Sequence, residues 1–335
     1  MIKVTTIPGD GIGKEVMEAG IAVLDALDLN FDFIKSEAGD GYFQENGNTI
    51  PEETLKNAKN SQATLFGAIT STPGERSPII TLRKELDAFA NLRPIKSFEG
   101  INSLYNDLDF LVVRENTEGL YSQVESYGDK EETIAISERI ITKKASERIA
   151  RFAFDKAISD ERNKVTCVHK ANVLKKTDGL FKRTFYDVAK SYPKIKSEDL
   201  YIDAVAMYLI KEPRSFDIIV TTNLFGDILS DEAAGLVGGL GLAPSGNIGD
   251  NNGLFEPVHG SAPDIAGKNI SNPIAMILSS AMMLDFLDEN YYANQITTAV
   301  ENVLKARKIA TPDLGGTAKT MDLANAVIEE INKQT

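Results

Sequence analysis

The chain has 335 residues, of which 42% are apolar and 25% charged, the proportions of an ordinary globular protein with room for a large core and two domains. A formal charge of −13 argues against nucleic acid as the main partner. The longest apolar runs fall short of the roughly 20 residues a membrane span needs. The N-terminus opens on a strand-like run without an export signal, and Cys167 has no second cysteine to pair with, so a reducing cytoplasm is expected.

Residues 2–7 read as a buried strand, followed by Pro8-Gly-Asp-Gly-Ile-Gly13 and a helical pattern over 14–27. Strand, glycine loop and helix invite a dinucleotide reading, and Asp32 lies at the distance of a ribose-binding acid. Against it, Lys14 stands where the third glycine belongs, and Asp10 would repel a phosphate. Strands and helices then alternate through residue 69, the mark of an α/β fold.

Arg83 and Arg93 follow among apolar neighbours, and Arg114 ends the strand-like Leu111-Val-Val-Arg114. A guanidinium fork matches the two oxygens of a carboxylate, so three such arginines in one region suit a carboxylic-acid substrate. Taken singly, each also reads as an ion-pair or surface arginine. After a polar stretch come strand patterns at 133–137 and 140–142 and an amphipathic helix through Phe154. Residues 164–169 form a strand that delivers Lys170 and Asn172 to its end. A partly desolvated lysine there would suit proton transfer, and a plain exposed loop lysine fits the position too. Asp203 follows a further apolar run and offers an oxygen ligand.

In Asn223-Leu-Phe-Gly-Asp227-Ile-Leu-Ser-Asp231 two carboxylates stand four residues apart, on one helix face. They could share a hard divalent cation, with Ile228 and Leu229 turned into packing. A helix cap at Asp227 and a solvated Asp231 explain the stretch equally well. Two long helices, 272–287 and 291–306, are expected to close the chain.

The ordered motifs Gly9-Asp-Gly-Ile-Gly13, Leu82-Arg83, Ala90-Asn-Leu-Arg-Pro94, Arg114-Glu-Asn-Thr-Glu118, His169-Lys-Ala-Asn172, the 223–231 acid motif and Glu256-Pro-Val-His-Gly-Ser-Ala-Pro-Asp264 resemble the decarboxylating β-hydroxyacid dehydrogenases. This family includes the 3-isopropylmalate, homoisocitrate and isocitrate enzymes, and the likeness spans the chain. It implies a two-domain α/β fold with mixed sheets that is not Rossmann. Residues 1–96 and 238–335 would form a cofactor-bearing domain. Residues 97–237 would form a central substrate, metal and dimerisation domain with an arm at 127–141.

The resemblance further implies that Arg83, Arg93 and Arg114 clamp the substrate carboxylates, and that Asp203, Asp227 and Asp231 hold Mg²⁺ or Mn²⁺, one of them from the neighbouring subunit. Lys170, reaching from the partner, would relay the hydroxyl proton, and Tyr121 would protonate the enol. Asn172 and the 256–272 loop, with His259, Gly260, Ser261, Ala262, Asp264, Ile265 and Asn272, would hold the nucleotide. Asp264 would accept from the ribose hydroxyls and repel a 2′-phosphate, which selects NAD over NADP. Ile79 and Ile80 would face the variable group of the substrate. Two aliphatic residues suit 3-isopropylmalate, giving 2-oxoisocaproate in leucine biosynthesis. The surrounding motif also resembles archaeal homoisocitrate enzymes, and isocitrate is a further alternative. The expected assembly is a homodimer with shared sites, or a tetramer built from it. A non-catalytic regulatory subunit is the remote alternative.

Overall fold

The computed structural model describes residues 1–334. Two compact units form. One joins Met1–Ala88, Lys96–Asp107 and Ala234–Thr335; the other joins Phe89–Ile95 and Leu108–Ala233. Compared with the expected division at 96/97 and 237/238, residues 89–95 group with the central segment, and 97–107 and 234–237 with the termini.

In the terminal unit, β1 (Ile2–Gly9), α1 (Gly13–Asp25), β2 (Phe31–Lys35), α2 (Asp40–Asn46), α3 (Glu52–Asn60), β3 (Ala63–Ala68) and α4 (Pro78–Glu85) come first. β1 pairs in parallel with β2 and β3. Every residue of β3 is buried, as expected of a strand covered on both faces. The glycine loop after β1 is not a phosphate cradle. It carries its own anion: the Asp10 carboxylate accepts from the amides of Asp40, Gly41 and Thr70. Gly9 (φ +73°) and Gly11 (φ +53°) serve close packing, since an added Cβ would lie 1.9 Å from the Ala68 carbonyl oxygen and 2.1 Å from that of Ser261.

The central unit begins with β4 (Ala90–Lys96) and continues with β5 (Asp109–Glu115), β6 (Glu125–Tyr127), β7 (Ala135–Ser137), α5 (Lys143–Ser159), β8 (Lys164–His169), α6 (Thr177–Ala189), β9 (Lys196–Tyr201), α7 (Ile202–Lys211), β10 (Ile218–Thr221) and α8 (Asn223–Leu236). Its strands run β4-β5-β10-β8-β9, with β5, β10, β8 and β9 parallel. β6 and β7 form a separate antiparallel hairpin. The strand expected at 140–142 is only a bridge between Ile140 and Gly119. Thr142 instead caps α5 by accepting from the Ala145 amide.

The chain then returns to the terminal unit. β11 (Pro244–Ile248) and β12 (Gly253–Pro257) are antiparallel, and β12 lies parallel to β3, which makes this unit's sheet mixed. α9 (Ile274–Phe286) is apolar on all sides and correspondingly buried, and α10 (Asn290–Ala306) packs on it. A third closing helix, α11 (Thr320–Asn332), corrects the expectation of two. It starts where the Asp322 carboxylate accepts from the Lys319 amide, and it buries Leu323, Val327 and Ile331. Among the described residues no helix is long and apolar enough to cross a membrane.

Candidate functional site

The fully buried β10 feeds directly into α8, so this helix starts beyond the carboxyl end of a parallel strand, where open α/β sheets hold ligands. Asp227 lies a full turn inside α8, which removes the capping alternative for it. Arg114 ends the neighbouring strand β5, opposite Thr221 of β10, and is 1% exposed. Its Nε and Nη2 donate to Asn223 Oδ1 at 3.0 and 2.8 Å, and Nη1 donates to Asp227. Gly226 allows this approach, because a Cβ there would come within 2.6 Å of the Arg114 Cγ. Arg93, on β4, donates to Ser230 at 2.6 Å, Asp231 at 2.9 Å and Asp227 at 3.3 Å.

The Tyr121 hydroxyl donates to the other Asp227 oxygen, and the Arg114 guanidinium lies 5.1 Å from the Tyr121 ring centre. Arg93, Arg114, Tyr121, Asp227 and Asp231 therefore converge. Burial pushes the Tyr121 phenol above its ordinary pKa, and its bond to Asp227 adds to this. Burial likewise raises the Asp231 carboxyl and, joined by the nearby charge of Asp227, outweighs Arg93. One packing expectation fails here: Leu229 is buried, but Ile228 is 57% exposed.

Lys170 and Asp203 form a separate cluster, where β8 ends and α7 begins. Lys170 Nζ donates to Asp203 Oδ1 at 2.5 Å and lies 5.8 Å from the Tyr201 ring centre. The Lys170 hydrogen bond holds the exposed Asp203 carboxyl below its usual range. Asn172 is exposed in the turn that follows Lys170. Among the described residues no three His, Cys, Asp or Glu side chains gather into a metal-binding group, so Asp203 does not join Asp227 and Asp231 within one chain. The Asp227–Asp231 pair still fits a hard divalent ion. It offers carboxylate oxygens from one helix face, and the Asp231 side chain is 54% exposed and so open to an incoming ion. The set needs a further oxygen donor.

In the terminal unit, α4 carries Ile79, Ile80 and Arg83, with both isoleucines half-buried. Ile79 packs against the cluster of Ile7, Phe66, Leu82 and Leu86. Arg83 Nη2 donates to Glu256 Oε1 at 2.9 Å, an oxygen that also accepts from Asn247, whereas Arg83 Nε is buried without a partner. The loop after Glu256 is tied down at both ends. The Ser279 hydroxyl of α9 donates to the Glu256 carbonyl, and Glu15 of α1 accepts from the Gly267 amide and the Ser271 hydroxyl.

Between these ties, Ser261 is buried and accepts from the Ile12 amide through its carbonyl. Ala262 (φ +38°) opens a turn closed by the Ile265 amide, and Gly260 and Asp264 are exposed. Asn272 donates to Asp313 at 2.9 Å. His259 Nδ1 meets the Gly260 carbonyl, while its Nε2 is buried and unpartnered, and burial lowers the imidazole pKa. An orphaned ring nitrogen and an exposed carboxylate on the same loop fit a nucleotide with hydroxyls to share. Glu15 and Asp313 escaped the sequence reading, because each acts through a partner in another segment and carries no local motif.

The isocitrate/isopropylmalate dehydrogenase family matches residues 3–329. The 3-isopropylmalate dehydrogenase of Methanothermobacter thermautotrophicus is 54% identical over 332 residues, 98% of each chain. The homoisocitrate dehydrogenase of Methanocaldococcus jannaschii is 51% identical over 350 residues, covering 100% of this chain and 99% of the relative. The crystal structure of isocitrate dehydrogenase from Methylococcus capsulatus superposes with a TM-score of 0.96 at 44% identity over 99% of each chain. The mixed α/β architecture is that of this group, and the chain belongs to the isocitrate/isopropylmalate dehydrogenase family of decarboxylating dehydrogenases.

Proposed function

We propose that the chain is an NAD-dependent, Mg²⁺- or Mn²⁺-assisted dehydrogenase that converts 3-isopropylmalate to 2-oxoisocaproate. The observation that carries the substrate is the aliphatic step beside a guanidinium. Ile79 and Ile80 precede Arg83 by four and three residues on α4, hence on one helical face, and a branched hydrocarbon suits that face better than a third carboxylate. The 54% identity to a 3-isopropylmalate dehydrogenase agrees with this. Homoisocitrate is the second reading, favoured by the 51% identity to a homoisocitrate dehydrogenase.

In this reading the terminal unit carries the nucleotide and Arg83, and the central unit carries Arg93, Arg114, Tyr121, Lys170 and the carboxylates. Arg93 and Arg114 are enclosed and held by several acceptors, so they form a rigid clamp for substrate carboxylates. Tyr121 keeps its proton through burial and is suited to deliver it to the enol carbon. Lys170 takes the hydroxyl proton during oxidation. A bound nucleotide would supply the hydride acceptor, and a divalent ion held by Asp227 and Asp231 would supply Lewis-acid stabilisation of negative charge. The exposed Asp264 supports NAD over NADP, since it would repel a 2′-phosphate.

We further assign a dimer with shared sites, in which the partner's Asp203 completes the oxygen set. Exposed apolar side chains on the hairpin (Ile136, 47%), α7 (Ile210, 59%) and α8 (Ile228, 57%) support a second copy as the covering surface. The complete set of arginines, carboxylates, Lys170 and Tyr121 opposes the regulatory-subunit alternative. NADH production with 3-isopropylmalate, homoisocitrate and isocitrate in parallel, repeated with NADP, tests this reading. A kcat/KM for either tricarboxylate above that for 3-isopropylmalate overturns the substrate assignment.

A further inference from the structure

Lys170 has a flexible side chain, but its backbone is held from both directions by groups that the proposed chemistry does not use. Its amide donates to Asp178 Oδ2 at 2.6 Å, and its carbonyl accepts from the Val173 and Leu174 amides at 3.0 and 2.8 Å. The next amide, that of Ala171, donates to His169 Nδ1 at 3.0 Å. Asp178 and His169 are both fully buried.

Each of these two groups is locked in turn. Arg139 donates to the second Asp178 oxygen, and its other Nη donates to the Thr222 hydroxyl at 2.8 Å, immediately before α8. The Arg139 guanidinium also lies 4.9 Å from the ring centre of Phe225, on α8. Because His169 Nδ1 accepts, the ring proton sits on Nε2 and is donated to Asp199 Oδ2 at 2.9 Å. Asp199 accepts as well from Lys182 at 2.7 Å and Tyr186 at 2.5 Å. Burial raises the Asp199 carboxyl, but these three donors outweigh it and bring it to about 2. The carboxylate is therefore a fixed anion that keeps the imidazole in one tautomer and one orientation.

We propose that His169 and Asp178 are positioning residues for Lys170, fixing the two consecutive peptide units from which its amino group is aimed. A buried acceptor on each amide removes backbone freedom that a loop following a strand would otherwise keep, and proton transfer tolerates little misplacement of the base. The inference rests on the reading of Lys170 as the base of the oxidation step.

The experiment uses the full-length protein with saturating NAD and Mg²⁺ and compares Lys170→Met, His169→Leu, His169→Asn and Asp178→Asn. The leucine variant removes the acceptor for the Ala171 amide, whereas the asparagine Oδ1 can replace Nδ1. His169→Leu is expected to lower kcat about ten- to a hundredfold with KM for the hydroxy acid changed by less than about threefold. Hydrogen exchange in the peptide spanning 168–172 should rise in the same variant, and His169→Asn should restore most of the lost kcat.

A kcat within about threefold of wild type despite faster exchange overturns the proposal, as does an equal loss in the leucine and asparagine variants. If His169→Leu does not fold, Asp178→Asn decides by the same kcat and exchange criteria, because its single amide oxygen cannot serve both Arg139 and the Lys170 amide as the two carboxylate oxygens do. Lys170→Met separates the two levels. If it retains turnover, the assignment of the base fails. If it is inactive while His169→Leu turns over normally, only the positioning role fails.

Discussion

The two clusters of the central unit are built from similar groups and enclosed very differently. Around Asp227 the guanidinium side chains are 1% and 8% exposed, and each carries several partners. Around Lys170 the lysine side chain is 24% exposed and the Asp203 side chain paired with it 66%. An ion pair as open as Lys170–Asp203 is worth little and is readily exchanged, so it does not hold its own geometry. The first cluster is preorganised by its own side chains. The second is preorganised at the backbone, through His169 and Asp178, and leaves its side chains free for whatever docks there.

The comparison breaks most visibly at Asp227. Asp227→Asn keeps volume but removes a carboxylate shared by Arg93, Arg114 and Tyr121. Metal-dependent turnover should fall about 10²–10³-fold. Leaving enclosed guanidinium groups under-compensated should cost about 3 kcal/mol, seen as a Tm loss of roughly 5–10 °C. Asp203→Asn, changing an exposed carboxylate, should lose turnover with an unchanged Tm. Equal Tm values for the two variants would erase the distinction between the clusters.

Mixing chains sharpens it. If the open cluster serves the neighbouring subunit, an inactive Lys170→Met protein mixed with an inactive Arg93→Ala protein should regain activity. Equal exchange makes about half of the dimers hybrid, each with one intact site, so roughly a quarter of wild-type activity is the ceiling. Differently tagged chains establish that exchange has occurred; with exchange shown and no activity, the shared site is wrong. A smaller effect is expected in the terminal unit. Asp264→Lys should shift the NAD to NADP ratio of kcat/KM by about tenfold toward NADP. An unchanged ratio would mean that Asp264 does not read the ribose.

What could be read in advance follows the range of the interactions. The i, i+4 spacing of Asp227 and Asp231 and the strand-end position of Arg114 are local patterns, and the structure joins those groups. The Arg83–Glu256 pair spans 173 residues, and Glu15 reaches the Gly267 amide across 252, so nothing near either residue announces its partner. Ile228 misled because helical period and apolarity alone do not tell a core face from an uncovered one. The 13-residue α11 lacked a strong opening residue, being initiated by Lys319 rather than Ser, Thr, Asp or Asn. The resemblance to a family located the charged groups; the packing that holds them became visible only in three dimensions.

The smallest expected effect lies at the edge of the enclosed cluster. Glu118, between Arg114 and Tyr121 in the chain, is buried, and burial raises its carboxyl from 4.5 to about 7 against the opposing hydrogen bond from the Thr142 amide. The charge of Glu115 adds to the rise. In the unfolded chain the group ionises near 4.5, so between that pH and about 7 the folded state retains a proton that the unfolded state has lost. The contribution of this group to stability is therefore fully present below pH 4.5 and is lost as the pH rises through about 7. Solvent screening reduces it to roughly 1 kcal/mol, or about 2–4 °C in Tm. Glu118→Gln keeps an oxygen for the Thr142 amide and has no proton to lose. Its Tm relative to wild type should therefore climb by that amount between pH 5 and pH 8. A difference that stays flat across this interval would mean that Glu118 titrates as an ordinary solvated carboxylate.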